Sequence, residues 1–281
     1  MPELPEVETI RRQLAPVAEG NVIEQVEVTD PRWVAPASVR AFEKKLVGRR
    51  LVKLGRRGKY FVAELDDGSA LVMHLRMTGN LLYIPEGDAV PESHLRGQLW
   101  LASPRGKSKG SLAFTDPRRF GTAELIPTPE ELQTYLGARL GPEPFDESFD
   151  GPYLYSHTHG RKTPIKAVLL DQRVVAGVGN IYADEALFRA RVAPQRRAAR
   201  VTKAQAELLT ETVQDALNAG IDAKGASIDD FRDAYGVKGS FQDQFLVHRR
   251  VGLPCPECDT PIKKIRCAGR GTYFCPACQK N

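Results

Sequence analysis

The position of the cysteines constrains this chain more than any other feature. All five lie within the last 27 of its 281 residues, and four of them form the pairs Cys255/Cys258 and Cys275/Cys278, with sixteen residues between the pairs. Four thiolates at this spacing are typical of a tetrahedral structural Zn2+ site, whereas a redox dithiol would need a thioredoxin-like context. We therefore predict one zinc ion on a β-hairpin ribbon. A closed site has no room for Cys267, which we expect to be a free thiol.

The net charge is concentrated in the same segment. Residues 245–281 carry seven Lys or Arg against two acids, which accounts for the whole net charge of +5, because the remaining residues balance at 33 against 33. A basic module suits a polyanion such as nucleic acid. Small surface modules are often basic, so the charge alone leaves both a nucleic-acid partner and a merely solvated surface open.

The apolar pattern indicates neither a membrane protein nor an exported one. No apolar run approaches the roughly 18 residues of a membrane span. The N-terminal sequence has acids where a signal peptide would be basic, and no apolar core follows. We therefore expect an intracellular, cytoplasmic protein.

Hydrophobic periodicity changes along the chain. Residues 4–15 predict a helix, because Val7, Ile10 and Leu14 share one face. The sequence pattern then becomes that of short strands separated by turns, which favours a β-sandwich or barrel. The predicted strands are 22–28, 50–54, 60–65, 70–77, 80–84, 98–102 and 122–126.

The second half of the chain is predicted to be helical. A linker rich in Pro and Gly, with one short helix at 130–136, leads into it, and a helix at 181–189 follows. Thr202 and Gln205 predict a capping box for a further helix that Gly220 would close. We predict an α+β multidomain fold. Its domains are an N-terminal β-sandwich at 1–130, a helical domain at 131–244 and the zinc ribbon at 245–281.

The second residue is a candidate nucleophile. Met1 precedes the small residue Pro2, so we expect Met1 to be removed and a terminal secondary amine to remain. Such an amine titrates near pH 8, so roughly a tenth of it is neutral at pH 7 and able to attack an electrophilic carbon. Glu3 beside it could supply a proton to the same centre. Most Met-Pro starts are simply processed tails, so these residues alone leave the role open.

A series of motifs along the chain is more specific than any one of them. They are Pro2-Glu3-Leu4-Pro5-Glu6-Val7-Glu8-Thr9, Arg57-Gly58-Lys59-Tyr60, His74-Leu75-Arg76-Met77-Thr78-Gly79, Asp116-Pro117-Arg118-Arg119-Phe120-Gly121, Leu140-Gly141-Pro142-Glu143-Pro144, Lys162-Thr163-Pro164-Ile165-Lys166, Gly177-Val178-Gly179-Asn180-Ile181-Tyr182-Ala183 and Gly269-Arg270-Gly271-Thr272. In this order they resemble the formamidopyrimidine-DNA glycosylases, the bacterial 8-oxoguanine repair enzymes, over nearly the whole chain. The resemblance implies an N-terminal helix and β-sandwich, a helix–two-turn–helix domain and a zinc ribbon.

The resemblance also implies an activity, that of a glycosylase and AP lyase removing oxidised purines from duplex DNA. The damaged base is flipped out, the Pro2 amine attacks C1′ of the deoxyribose, and a Schiff base forms before β- and δ-elimination cut the strand. By position, Glu3 would protonate the opening sugar ring, and Lys59 would act as a general acid and phosphate contact. Arg270 at the hairpin tip would hold the phosphate next to the lesion, and Glu6 would help order the site.

A set of DNA contacts follows from the same resemblance. The positions that match or neighbour DNA contacts are His94, Arg119, Arg161, Lys166 and Asn180. Asn180 would meet a phosphate at a helix N-terminus. Met77, Arg118 and Phe120 would form the wedge that fills the gap left by the flipped base, with the arginine reading the orphaned cytosine.

The chain departs from the family pattern beside the ribbon. The family usually has a Tyr-Gly pair where this chain has His248-Arg249, so the phosphate contact expected from the tyrosine is left open. Arg161 replaces a typical lysine and keeps the charge. Residues 225–240, where the family recognises the damaged base, are left without assigned contacts.

Two alternative functions stay open from the sequence. The endonuclease VIII type shares the fold and the Pro2 chemistry but prefers oxidised pyrimidines, and Met77, Arg118 and Phe120 argue against it. A non-catalytic zinc-ribbon DNA-binding protein would need the ribbon but not Pro2 and Glu3. In each case we expect a nucleoid-associated monomer whose partner is double-stranded DNA, with oxidised bases as the lesion for the two enzymes.

Overall fold

The computed structural model describes residues 2–228 and 230–280. Two compact units make up the chain: residues up to Ala138 together with Lys224–Ser240, and Arg139–Ala223 together with the residues from Phe241 onward. Thus 224–240 belongs with the first unit, although the sequence placed it in the helical domain. The three predicted domain boundaries stay a prediction. Among the described residues, no helix combines the length and apolar character needed to cross a membrane.

The first unit begins with helix α1, Leu4–Ala18, three residues longer than predicted. Its first turn is stabilised by a capping box, in which the Glu3 side chain accepts from the Glu6 backbone and the Glu6 side chain accepts from Glu3. Val7, Ile10 and Leu14 are each at most 1% exposed, which confirms the predicted apolar face. That face packs in one cluster with residues of both sheets.

Two antiparallel four-stranded sheets form a sandwich, as predicted. Their strands are β1 (Val22–Val28), β2 (Leu51–Arg57), β3 (Tyr60–Leu65), β4 (Ala70–His74), β5 (Asn80–Ile84), β6 (Leu95–Ala102), β7 (Ser108–Thr115) and β8 (Thr122–Ile126). One sheet has the order β1-β6-β7-β5 and the other β2-β3-β4-β8. Helix α2, Val39–Leu46, packs Phe42 and Leu46 into the shared core, and the sequence did not predict this helix.

Strand β7 was also missed, for a physical reason. From Gly110 to Thr115 every residue is buried, so the strand shows no alternation of polar and apolar positions. Helix α3, Pro129–Gly137, covers the outer face of β3 and β4 through Leu132, Tyr135 and Leu136. Residues on both faces of these strands are therefore buried.

The second unit is helical and ends in a two-stranded ribbon. Its elements are α4 (Gly151–Thr158), α5 (Ile165–Leu170), α6 (Asn180–Arg189), α7 (Lys203–Asp222), β9 (Lys263–Cys267) and β10 (Arg270–Phe274). The capping box of Thr202 and Gln205 is confirmed at the start of α7. The prediction that Gly220 ends this helix is wrong. Gly220 lies inside it, where a Cβ would clash with the Tyr182 ring.

Candidate active site and zinc centre

The start of α1 carries a group of buried polar atoms. Pro2, Glu3 and Glu6 are all buried. The Glu3 N–H donates to Glu6 Oε2 at 2.7 Å, and the Ala226 N–H donates to Glu6 Oε1 at 2.8 Å. Glu6 therefore joins the residue next to Pro2 to the segment 224–240, and its role in ordering a site stays a prediction.

Glu8 joins the same helix to strand β2. Its carboxylate accepts from Arg11 at 2.8 Å, from Arg12 at 2.7 Å and from Arg56 of β2 at 3.3 Å. Burial opposes its charge, but the hydrogen bonds from Arg11 and Arg12 and the charges of Arg11 and Arg56 outweigh burial and lower the pKa of Glu8 to about 2. The helix that follows Pro2 is thus tied to strand β2 by a group that stays ionised.

Lys59 lies in the tight turn between β2 and β3, next to Gly58 with its φ of 56°. Its side chain is largely buried, at 6% exposure. Burial above all, then the charges of Arg76 and Lys59, lower the pKa of His74 to about 3. Neutral His74 accepts the Arg76 N–H on Nδ1 at 2.9 Å, which shapes the turn that leads to Met77.

The segment 116–121, here called the wedge loop, is built around one buried carboxylate. Asp116 accepts the N–H groups of Arg118 at 3.1 Å, Phe120 at 2.8 Å and Gly121 at 2.7 Å, and it also accepts the hydroxyl of Thr78. Asp116 is 0% exposed. Backbone donors converging on one carboxylate, together with the Thr78 hydroxyl from the neighbouring turn, fix the shape of the loop.

The wedge loop exposes to solvent the side chains that were predicted to act on DNA. Phe120 is 51% exposed, and the Arg118 guanidinium lies 5.0 Å from the centre of its ring. Arg119 is exposed with Nε 3.5 Å from Asp30, and exposed His94 accepts the Asp116 N–H on its carbonyl at 2.9 Å. Predicted DNA contacts thus lie beside the predicted wedge. Met77 is half-buried in the neighbouring turn, whose Thr78 bonds Asp116.

The four paired cysteines of the second unit form one cluster. Their sulfur atoms all lie within 4.8 Å of one another. Cys258 Sγ is 3.3 Å from Cys278 Sγ and 3.5 Å from Cys275 Sγ, and Cys255 Sγ is 3.9 Å from Cys278 Sγ. Zinc–sulfur bonds of about 2.3 Å in a tetrahedron place sulfur atoms about 3.8 Å apart. The donor set fits one structural Zn2+, as predicted.

Backbone N–H groups and apolar residues support the cluster. The Glu257 N–H lies 3.5 Å from Cys255 Sγ, and the Cys278 N–H lies 3.4 Å from Cys275 Sγ. Val247, Ile262 and Phe188 pack around the buried cysteines. Cys267 lies outside the cluster, where its buried thiol donates to the Pro194 carbonyl at 3.5 Å, and burial raises its pKa. It is a free thiol, as expected.

Lys166 requires a correction. It was predicted at or beside a DNA contact, but its side chain is 0% exposed. Its Nζ donates to Asp184 Oδ1 at 2.7 Å and to Thr272 Oγ1 at 2.7 Å. A buried ammonium with these partners cannot reach a phosphate in this conformation, so Lys166 binds the ribbon internally.

The remaining predicted contacts of this unit lie at the surface or partly exposed. Asn180 is the first residue of α6, and its Nδ2 donates to the Gly271 carbonyl at 3.0 Å. Arg161 is half-exposed and lies beside residues 198–199, because its carbonyl accepts the Ala199 N–H at 3.0 Å. Arg270 is exposed at the start of β10, where it pairs with Cys267. The turn before it, Ala268-Gly269, has two left-handed residues.

Sequence reasoning missed the buried acids beneath these exposed residues. Asp184, like Asp116, is at most 1% exposed, and Glu185 next to it accepts the N–H groups of Leu246, Val247 and His248 at 3.0–3.1 Å. Asp116 could have been identified, because an Asp before a Pro in a loop often accepts nearby backbone N–H groups. Asp184 has partners 18 to 89 positions away along the chain. Glu185 also pairs with Arg189 four positions on, at 3.2 Å, but the backbone N–H groups that it accepts lie 61 to 63 positions away, and the local pair does not indicate them.

Three family models match the chain in succession. The formamidopyrimidine-DNA glycosylase N-terminal domain matches residues 1–123, and the H2TH domain of the same glycosylases matches residues 140–232. The zinc finger found in FPG and IleRS matches residues 252–281. The chain belongs to the formamidopyrimidine-DNA glycosylase family.

Known members resemble the chain from end to end. A formamidopyrimidine-DNA glycosylase of Desulfitobacterium hafniense is 44% identical over 284 residues, covering 99% of this chain and all of the relative. Among solved structures, a mutant Lactococcus lactis enzyme with a Fapy-dG-containing DNA superposes with a TM-score of 0.91 at 37% identity and full coverage of both chains. The L. lactis enzyme with an abasic-site DNA gives the same score and identity, over 99% of this chain and 100% of that one.

Proposed function

We propose that this chain is a base-excision-repair DNA glycosylase and AP lyase that removes oxidised purines, such as 8-oxoguanine and formamidopyrimidines, from duplex DNA. The observation that carries the proposal is that all three family models match in order, on a chain whose N-terminal residues and cysteine cluster are those the chemistry needs. Relatives named for formamidopyrimidine chemistry, and complexes with Fapy-dG and abasic-site DNA, support this substrate class.

The proposed nucleophile is the Pro2 amine that remains after removal of Met1. Its lone pair forms a bond to C1′ while the glycosidic bond breaks and the damaged base leaves with a proton. Glu3 then protonates the ring oxygen as the C1′–O4′ bond opens, and loss of the amine proton gives the iminium form of the Schiff base. The capping box fixes Glu3 beside Pro2, which limits the motion of the acid relative to the amine.

The iminium makes the C2′ protons acidic, which permits strand cleavage. Loss of one C2′ proton expels the 3′ phosphate by β-elimination, and a second elimination expels the 5′ phosphate. We assign Lys59 as a general acid and phosphate contact and Arg270 as the group that holds the phosphate next to the lesion. Arginine suits that role because its planar guanidinium can donate two parallel hydrogen bonds to a phosphate.

The wedge loop and the neighbouring turn are proposed to stabilise the distorted duplex. Unstacking a base costs a few kcal/mol, which an inserted apolar group and a stacked aromatic ring can offset. Phe120 and Met77 supply these groups, and Arg118 can hydrogen-bond the orphaned base. Arg119, His94, Arg161 and Asn180 are proposed as further DNA contacts. Their recorded partners do not remove them from the surface.

Zinc has a structural role in this proposal. Cys255, Cys258, Cys275 and Cys278 would hold the ion, which keeps the ribbon folded and so presents Arg270. We also propose that the protein acts as a monomer in the cytoplasm on chromosomal DNA. Size-exclusion chromatography with light scattering checks the first point.

Base release from defined duplexes tests the proposed substrate. Purified protein is incubated under single-turnover conditions with duplexes that carry 8-oxoguanine, thymine glycol or no lesion. We expect release of 8-oxoguanine at least about tenfold faster than thymine glycol, which corresponds to about 1.4 kcal/mol of selectivity. Faster release of thymine glycol would favour the endonuclease VIII type. Tight binding without any base release would favour a non-catalytic DNA-binding protein.

A further inference from the structure

The three residues that follow Arg270 in β10 are each held by a helical element of the second unit. The Gly271 carbonyl accepts from Asn180 at 3.0 Å, and Thr272 Oγ1 accepts from Lys166 at 2.7 Å. The Tyr273 N–H donates to Asp184 at 3.3 Å. Arg270 itself is exposed, so its place is set by the strand that continues from it.

Asp184 is the centre of this arrangement. Its Oδ1 accepts from Lys166 Nζ, and its Oδ2 accepts from His248 Nδ1 at 2.9 Å as well as from the Tyr273 N–H. We call Lys166, Asp184, His248 and Thr272 the anchor network. All four residues are at most 4% exposed. Because a carboxylate can only accept hydrogen bonds, the imidazole must donate from Nδ1.

The anchor network places two opposite charges in the interior of the second unit, at a high desolvation free energy. Removing an ammonium and a carboxylate from water costs about as much as their attraction returns, so buried ion pairs often add little stability and instead fix one arrangement. The arrangement that the network fixes is the position of β10, and Arg270 is its first residue.

His248 stands where the family usually has a tyrosine, and it makes a different contact. In the resemblance described above, the family usually has a tyrosine here that is expected to reach a phosphate. In this chain the ring is buried against Asp184 and packs edge-on against Tyr273, with ring centres 4.9 Å apart. The side chain at this position therefore supports β10.

We propose that Asp184 is a positioning residue that acts through Arg270: with Lys166, His248 and Thr272 it holds β10 so that the arginine meets the phosphate beside the lesion. The inference rests on the proposed function, since it gives Arg270 a phosphate to hold. It differs from a general stabilising role, because it requires that the effect of losing Asp184 disappear once Arg270 is absent.

A double-mutant cycle tests the coupling. Asp184→Asn, Arg270→Ala and the double variant are compared with the unchanged protein for zinc content, thermal midpoint and affinity for a duplex carrying a tetrahydrofuran abasic-site analogue. Base release and strand incision on an 8-oxoguanine duplex are measured in parallel. Asp67→Asn is the matched control, because Asp67 lies in the turn between β3 and β4 of the first unit, where it accepts from Ser69, and it belongs neither to the anchor network nor to the proposed DNA contacts.

A second variant guards against misfolding. Lys166→Met with Asp184→Leu removes both buried charges, which avoids leaving an ammonium without its anion. We expect this variant to bind one zinc ion and to have a thermal midpoint within a few degrees of that of the unchanged protein.

Variants of His248 test the second partner of Asp184. His248→Asn keeps an amide donor near the position of Nδ1, whereas His248→Leu does not. We expect the asparagine variant to retain affinity within about threefold of the unchanged protein. The leucine variant should lose about tenfold relative to the unchanged protein, which corresponds to about 1.4 kcal/mol.

The expected result is non-additivity. Asp184→Asn and the Lys166/Asp184 pair variant should each weaken binding of the abasic duplex about tenfold, and neither should weaken it further in the Arg270→Ala background. The proposal would be overturned if the affinity losses of the Asp184 and Arg270 variants multiplied when the two were combined. It would also be overturned if the zinc-loaded pair variant bound the abasic duplex as tightly as the unchanged protein. If Arg270→Ala alone changes nothing, Asp184 has no phosphate contact to act through and the proposal is also overturned. Absence of base release by the unchanged protein would instead contradict the proposed function.

Discussion

The wedge loop and the hairpin of β9 and β10 each position an exposed arginine, but they do so with different kinds of hydrogen-bond partners. Each exposes an arginine above a nearly fully buried aspartate, Arg118 above Asp116 and Arg270 above the anchor network of Asp184. Asp116 accepts mainly neutral backbone donors from residues two to five positions away. Asp184 accepts from a buried lysine and a histidine that are 18 and 64 positions away.

The difference teaches which feature each surface depends on. A loop held by its own backbone keeps its shape as long as one acceptor remains in place. A hairpin held by distant charged partners depends on the fold of the whole unit and on the zinc centre beside it. We therefore expect the hairpin to lose its structure together with the zinc ribbon. The wedge loop should lose its structure without affecting the rest of the first unit.

The largest effect is expected from loss of zinc. Cys258→Ser leaves three thiolates to hold the ion, and a chelator removes the ion itself, so in both cases the ribbon should unfold and DNA binding should fall below detection. The first unit should stay folded, because its core contains none of these cysteines. Zinc content, DNA affinity and near-UV circular dichroism measure the outcome. Full DNA affinity in zinc-free protein would contradict the dependence assigned to the hairpin.

Asp116→Asn should have the next largest effect. The amide keeps one acceptor oxygen but loses the charge that strengthens its hydrogen bonds, each worth about 1.5–3 kcal/mol when a charged group takes part. We expect base release to fall about 100-fold, because Arg118 and Phe120 shift together, while zinc content is unchanged. Asp67→Asn is the control, since Asp67 accepts from Ser69 in a turn without functional residues. Equal losses in both variants would mean that the wedge loop has no special role.

Phe120→Ala removes only the tip of the wedge loop. Because Phe120 is half-exposed, the free energy of unfolding should change by less than about 0.5 kcal/mol. Base release should fall about tenfold, since the cost of unstacking is then less well offset. Single-turnover kinetics and thermal unfolding measure the two quantities. A loss as large as that of Asp116→Asn would show that the aspartate acts only through Phe120.

The smallest effect concerns Glu8 and the acid stability of the first unit. Its pKa of about 2 lies below the ordinary value of 4.5, so its contribution is fully present above pH 4.5 and is lost as the pH falls towards 2. Glu8→Gln should lower the free energy of unfolding by about 1 kcal/mol at pH 7, a value reduced for partial solvent screening. The difference between the two proteins should shrink below pH 4.5.

Acid titration also separates the two regions. Protons compete with zinc for four thiolates, so zinc release should precede the loss of the Glu8 contribution as the pH falls. A zinc-sensitive dye and far-UV circular dichroism follow the two events. Retention of zinc after the first unit has unfolded would reverse the expected order.

Local features of the fold could be predicted from the sequence. The zinc centre follows from cysteine spacing, and α1 and α7 follow from apolar periodicity with capping residues. Helix α2 could also have been predicted, because Ser38 is a capping residue and Val39, Phe42 and Leu46 have helical spacing. Strand β7 could not be predicted in this way, since burial on both faces removes alternation.

The supporting contacts of the candidate site could not be predicted in the same way. Glu6 meets Ala226 at a separation of 220 residues, and Lys166 meets Thr272 at a separation of 106. Such pairs arise only when the chain has folded, and single residues of these types are usually exposed. Lys166 was predicted at or beside a DNA contact from the family resemblance alone, and no local feature of the sequence indicates that it is buried.

The most direct test of the proposed mechanism is to identify the residue that becomes covalently attached to DNA. The protein is incubated with an 8-oxoguanine duplex and borohydride, and the trapped adduct is digested and mapped by mass spectrometry. The mechanism predicts processed protein that begins at Pro2, one adduct on that residue, and strongly reduced trapping by Pro2→Gly. An adduct on a lysine side chain, or equal trapping by Pro2→Gly, would contradict it.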